Sequence, residues 1–325
     1  MSVEEMLGIV RELPHQLGDA LWRVESAAVP RADAPGGLAV CGVGGSAIGG
    51  DLARAVLGDR ARRPLRTVRD YALEPWAGAD TLVLCSSYSG NTEETLACDR
   101  AAGEAGAPRV ALITGGELAR RAREEGVPVI GVPGGIPPRA AVAYMVIGAL
   151  ECAASCGAAP SLRAEIEGAA GPLSGLAAGE EEPRRLAEAL RGRVPIVYGG
   201  GPTAPVARRW KTQLNENAKR HAFWSTLPEA NHNELCAFAA GGDVTLVLLE
   251  DEGQHERIRR RIERTAEVAA EAGLAVERVS SRGSTPFERV MSLVLLGDLV
   301  SVLLAGLEGV DPTPVEALEQ FKRTL

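Results

Sequence analysis

Twice in this chain a short, almost wholly apolar run empties into glycines and then into a helix-type pattern. Residues 38–43 (LAVCGV) precede Gly44 and Gly45, and residues 194–198 (VPIVY) precede Gly199, Gly200 and Gly201. A run too short for a helix and without polar alternation is the pattern of a strand buried on both faces. Glycines directly after it permit the sharp turn that feeds a helix back onto the sheet. Other segments obey the same rule: residues 65–69, 81–85 (TLVLC), 110–114 and 127–132 read as strands, with helices over 47–57 and 92–105. In the second half residues 244–250 (VTLVLLE) read as a strand followed by a helix through about residue 272. Strands alternating with helices predict parallel sheets covered on both faces, hence an α/β fold of two related subdomains.

Between the halves, residues 140–156 and 183–191 are alanine- or leucine-bearing helical runs, and Gly171-Pro172 breaks the path between them. The expected division is an N-terminal subdomain over 1–156, a helical connection over 157–190 and a C-terminal subdomain over 191–325. At the end, Val315, Leu318 and Phe321 fall on one face of a docked terminal helix.

A chain of 325 residues, 46% hydrophobic and 24% charged, is globular rather than disordered. Its net charge is 35 − 43 = −8 and its longest lysine/arginine block is three residues, which predicts no nucleic-acid surface. An anionic ligand must therefore be held by local geometry. The cysteines at 41, 85, 98, 152, 156 and 236 show no CxxC spacing and read as reduced, mostly buried thiols of a cytoplasmic protein. Cys152 and Cys156 sit four apart on a predicted helix, but no second ligand pair accompanies them, so no metal is expected. No signal-peptide core opens the chain and no run approaches the ~20 apolar residues of a membrane span, so no membrane partner is expected.

Two turns and one polar segment carry the chemistry. Gly42-Val43-Gly44-Gly45-Ser46-Ala47 fits a dinucleotide-binding turn, with Asp70 as the ribose acid, but the interval to Asp70 exceeds the ~20 residues of that motif. The second turn, Ser86-Ser87-Tyr88-Ser89-Gly90-Asn91-Thr92, sets four aliphatic hydroxyls at a strand end, where Asn91 or Thr92 can cap the next helix. Backbone amides and hydroxyls at a helix N-terminus suit a phosphate monoester without excess positive charge. Residues 215–234 (NENAKRHAFWSTLPEANHNE) are too polar for ordinary core and begin near a sheet edge, which makes Glu216 and His232 candidates for proton transfer.

The stretches VGGSAIGGD and SSYSGNTEET resemble the two loops of a sugar isomerase (SIS) domain. The NENAK…HAF…PEANHNE run with VDPTPV resembles the bifunctional phosphoglucose/phosphomannose isomerases of that superfamily. The resemblance implies two SIS-type subdomains, each a flavodoxin-like αβα sandwich with a parallel sheet. It implies interconversion of glucose 6-phosphate and mannose 6-phosphate with fructose 6-phosphate through a cis-enediol. In that reading Glu216 is the base, and His232 protonates the ring oxygen from across a homodimer interface, so that active sites are shared. Lys322 helps ring opening; Gly45, Ser46, Ser87, Ser89 and Thr92 hold the phosphate; Arg139 lies near the reacting hydroxyls; Thr313 helps admit the mannose epimer. His221 has a structural role, and no cofactor or metal is implied. Three other readings stay open: a zinc-dependent phosphomannose isomerase built on His221, His232 and Glu234, a non-catalytic sugar-phosphate sensor, and a nicotinamide-cofactor enzyme.

Overall fold

The computed structural model describes residues 1–322 and 324, apart from the side chains of Glu319 and Lys322. The chain forms two compact units. One comprises Leu13–Pro172 with Thr285–Glu288, and the other Met1–Glu12, Leu173–Ser284 and the chain from Arg289 onward.

The first unit is a five-stranded sheet of β1 (Gly37–Cys41), β2 (Leu65–Val68), β3 (Thr81–Ser87), β4 (Arg109–Ile113) and β5 (Val129–Gly131). The order is β2-β1-β3-β4-β5 and every pairing is parallel. Every residue of β1 and β3 is buried, as their unbroken apolar runs require. The helices Gly45–Leu57 and Val142–Ser155 cross closely: a Cβ at Gly49 would stand 2.5 Å from the Met145 Cβ. Because β2 and β3 lie on opposite sides of β1, the chain leaves β1 and β3 in divergent directions and opens a crevice at their C-terminal ends. Open parallel sheets bind ligands at such a switch point.

The second unit repeats the plan with β6 (Val194–Gly200), β7 (Phe223–Leu227), β8 (Val244–Glu250) and β9 (Ala275–Ser280), ordered β7-β6-β8-β9 and all parallel. Its switch point lies between β6 and β8. The helix Ala204–Glu216 packs Trp210 onto Gly297 of the helix Pro286–Leu307, where a Cβ would meet the indole nitrogen at 2.2 Å. That nitrogen donates to the Leu293 carbonyl at 2.8 Å.

Four expectations are corrected. The 22-residue helix Pro286–Leu307 has a mean hydropathy of 2.3 in its most apolar window, so one described helix does reach membrane-span length and composition; 89% of that window is buried inside the protein. Gly171-Pro172 does not break the path, because the helix Arg163–Ala178 runs through Pro172. Gly171 has no Cβ to clash with the proline ring, which removes part of the usual bar to helix before proline. Strands β7 and β9 were not expected; both are edge strands with mixed exposure rather than apolar runs. The terminal helix is Glu316–Lys322, and Leu318 and Phe321 are 45% and 60% exposed rather than docked.

Candidate functional site

At the β1/β3 crevice the glycine and serine turns are joined to each other. Gly42 has no room for a side chain, since a Cβ would lie 2.6 Å from the Ser86 carbonyl oxygen, and Gly44 turns through φ +59°. The Tyr88 amide donates to Ser46 Oγ at 3.1 Å, and Ser86 Oγ donates to the Ser46 carbonyl at 3.1 Å. Within the serine turn, Ser87 Oγ and Thr92 Oγ1 are hydrogen-bonded at 2.8 Å, and the Gly90 amide donates to Ser87 Oγ at 3.1 Å. Ser89 is exposed, its Oγ accepting from the Asn91 amide at 3.2 Å.

The capping expectation is corrected in a way that bears on chemistry. Thr92 stands at the N-cap of the helix Glu93–Glu104, but its hydroxyl bonds Ser87 and does not cap. Asn91 Oδ1 accepts instead from the Glu117 amide, at the start of the helix Gly116–Glu125. The helix Gly45–Leu57 also lacks a side-chain cap. Two helix N-termini without side-chain caps, beside a cluster of hydroxyls, form an anion-binding arrangement. Arg139 comes from a third segment, the turn Pro138–Ala140, and is 4% exposed. Its backbone lies against Gly45, where a Cβ would stand 3.5 Å from the Arg139 Cα.

The corresponding turn of the second unit is filled. Gln254 Nε2 donates to the Gly200 carbonyl and Thr203 Oγ1, each at 3.0 Å, and to the Leu249 carbonyl at 3.2 Å. Gln254 Oε1 accepts from the Asp251 amide at 3.0 Å. Where β3 exits into serines, β8 exits into Glu250, Asp251 and Glu252. Those carboxylates are paired with Arg278 and Arg289, and Arg259 and Arg260 line the same cavity, so this turn differs from the hydroxyl-lined turn of the first unit.

Glu216 and His232 belong to the second unit. Glu216 closes the helix Ala204–Glu216 and is half-buried. Arg220, four residues on, is engaged elsewhere: it donates to the Arg193 carbonyl at 2.9 Å and pairs with Glu308 at 3.4 Å. Lys219 is left-handed, with φ 54°, and its Nζ donates to the Glu216 carbonyl at 2.5 Å and the Pro312 carbonyl at 3.3 Å. His232 is exposed on the single-turn helix Ala230–Asn233. Thr313 Oγ1 donates to the Met1 carbonyl at 3.1 Å. Lys322 ends the terminal helix, and its side chain lies outside the described residues.

Glu234, a ligand in the zinc reading, has both oxygens occupied, one by the Ser225 hydroxyl and one by the Tyr198 hydroxyl at 2.5 Å. Burial, then the hydrogen bond to Glu234, pushes the Tyr198 phenol well above its ordinary range and keeps it a donor. Among the described residues no group of three or more His, Cys, Asp or Glu side chains is arranged to hold a metal ion. Gln254 and the Tyr198–Glu234–Ser225 group went unseen in the sequence, since the Gln254 bond to Gly200 spans 54 residues and the Glu234 bonds to Ser225 and Tyr198 span 9 and 36.

A family model described as the bacterial phospho-glucose isomerase C-terminal SIS domain matches residues 179–325. The chain is 37% identical over 301 residues to a bifunctional phosphoglucose/phosphomannose isomerase of Caldicellulosiruptor bescii, covering 89% of each. The chain belongs to the bifunctional phosphoglucose/phosphomannose isomerase family. A second relative of that name, from Aquifex aeolicus, is 35% identical over 294 residues, covering 89% of this chain and 90% of its own. A solved structure titled as a putative phosphosugar isomerase from Silicibacter pomeroyi DSS-3 superposes with a TM-score of 0.76 over 96% of this chain and 100% of that one. At 18% identity it shows the fold alone, two parallel-sheet α/β units. Membership of the phosphoglucose/phosphomannose isomerase family makes this chain an enzyme, an isomerase acting on sugar phosphates.

Proposed function

We propose that this isomerase interconverts glucose 6-phosphate and mannose 6-phosphate with fructose 6-phosphate. The observation that carries the reading is the hydroxyl cluster of Ser46, Ser87 and Thr92 beside two helix N-termini whose own N-cap residues make no side-chain cap. A phosphate monoester seated there accepts from those hydroxyls, from Ser89 and from the amides around Gly45. This grip leaves the sugar free to extend toward groups that move protons.

Ring opening breaks the C1–O5 bond, with a proton delivered to O5 as the O1 hydroxyl proton leaves. His232 of the partner subunit supplies the O5 proton, assisted by Lys322, so the working form is a homodimer with shared sites. Glu216 then takes the C2 proton; the C–H electrons form the C1–C2 double bond, and O1 is protonated to give the cis-enediol. Return of the proton to C1 while the C2 carbonyl forms yields the ketose. Glucose and mannose 6-phosphates differ only at C2 and share that enediol. The buried Arg139 guanidinium stabilises charge on the enediolate oxygens, and Thr313 helps admit the mannose epimer.

A coupled assay on both hexose 6-phosphates, with and without a chelator, tests the proposal. Turnover of both substrates that survives chelation is expected. Tight binding of fructose 6-phosphate with no turnover would favour the sensor reading, and activity abolished by chelation and restored by zinc would favour the metalloenzyme.

A further inference from the structure

The residue after the proposed base is asparagine, and it is fully buried at the end of a helix, where a polar side chain needs a specific reason to be. Asn217 Nδ2 donates to Ser301 Oγ at 2.8 Å, and Ser301 Oγ donates in turn to the Asp298 carbonyl at 2.7 Å. Ser301 and Asp298 lie on the buried helix Pro286–Leu307. The same helix grips the Glu216-bearing helix at Arg209, through Asp298, and at Trp210, through the Leu293 carbonyl. Beyond Glu216 the chain leaves its helical path at Lys219, and Asn215 Nδ2 donates to the Arg220 carbonyl at 2.7 Å.

From these contacts we infer that Asn217, through Ser301, is a positioning residue that fixes the direction of the Glu216 side chain. The inference rests on the reading of Glu216 as the base. The physical reason lies in where Glu216 sits. Helix ends fray, and beyond Glu216 the backbone is held by the Asn217 amide, which donates to the Gln213 carbonyl at 2.8 Å, and the Arg220 amide, which donates to the Leu214 carbonyl at 3.2 Å. A buried side-chain hydrogen bond on the adjacent residue adds a further restraint, because rotating Glu216 about its backbone would pull the Asn217 side-chain amide off Ser301. Nothing in the hydrogen bond touches substrate. Its effect is on the precision with which a carboxylate meets a C–H bond, where a displacement of about 1 Å can cost on the order of a hundredfold in rate.

The test uses the full-length enzyme in four forms: wild type, Asn217→Ala, Ser301→Ala and the double variant. Ser301→Ala removes a single oxygen and keeps the experiment readable if Asn217→Ala does not fold. With kinetics taken on the fraction shown folded by thermal melting, each single variant should lower kcat about 10- to 100-fold while KM for fructose 6-phosphate moves less than about twofold. The double variant should be no slower than the slower single, because both remove one link. Folded Ser301→Ala with wild-type kcat overturns the inference, as does a rise in KM with kcat unchanged. Glu216→Gln run alongside keeps the two claims apart: if it turns over normally the base assignment has failed, whereas if it is inactive and Ser301→Ala is fully active only the positioning role has failed.

Discussion

Arg209 and Asp298 form a bidentate ion pair inside the second unit, with Nε–Oδ1 at 3.0 Å and Nη2–Oδ2 at 2.6 Å and side chains 1% and 3% exposed. The pair joins the helix that ends at Glu216 to the apolar helix Pro286–Leu307. Two charges taken out of water are tolerated because each satisfies the other in parallel hydrogen bonds.

Removing one partner leaves the other charged and buried. Arg209→Met is expected to lower the free energy of unfolding by about 3–5 kcal/mol, measured by urea titration. Replacing both members by apolar residues of similar volume should recover much of that loss. A single-variant cost under about 1 kcal/mol would show that the pair contributes nothing to the core.

In the first unit, Ser87→Ala takes away both the hydroxyl bonded to Thr92 and the acceptor for the Gly90 amide. A hydrogen bond to a charged group contributes about 1.5–3 kcal/mol, so binding of fructose 6-phosphate should weaken roughly 10- to 100-fold by calorimetry. Unchanged affinity would move the phosphate away from the serine turn.

What the sequence made legible follows from burial. β1, β3 and β8 lie inside their sheets and read as apolar runs, and the glycine after β1 is demanded by the approach of Ser86. β7 and β9 lie at sheet edges, so Phe223 and Glu277 meet partners on one side only and the apolar signal is lost. The helix Pro286–Leu307 is apolar nearly all round because it is surrounded, and periodicity has no purchase on a helix without a polar face. For the candidate site the sequence offered residue types: serines in a turn, a carboxylate and a histidine in a polar stretch. It did not offer the bonds that arrange them. Gln254 filling one glycine turn while the other carries uncapped helix starts, or Asn217 reaching Ser301 across 84 residues, depends on tertiary neighbours that no local pattern encodes.

Glu151 supplies a pH test. Burial raises its carboxyl above the ordinary value of 4.5, outweighing the opposing pull of Arg163 and Arg31, and its Oε1 has no hydrogen-bond partner among the described residues. The folded state therefore holds this proton to higher pH than the unfolded chain does. The group's stabilising contribution is fully present below 4.5 and is lost as pH rises through the folded-state value. Glu151→Gln should accordingly be more stable than wild type at about pH 7.5, with the advantage gone by about pH 4, in urea titrations across that range. An advantage independent of pH would contradict the assignment.

The proposed sharing of sites between subunits predicts complementation. Glu216→Gln and His232→Ala subunits, each inactive alone, should regain roughly a quarter of wild-type activity when unfolded together and refolded, since random pairing makes half the dimers mixed and one site in each mixed dimer complete. Recovery of nothing, with mixed dimers demonstrated, would place both groups within one subunit's site.

In the proposed mechanism the Glu216 carboxylate moves a carbon-bound proton, and hydrogen exchange at carbon reads that step directly. Fructose 6-phosphate incubated with Glu216→Gln in deuterated water and followed by NMR is predicted to bind with wild-type affinity while deuterium uptake at C1 and aldose formation fall by several orders of magnitude, on the order of a thousandfold or more. Exchange and isomerisation at wild-type rates in that variant would show that another group is the base.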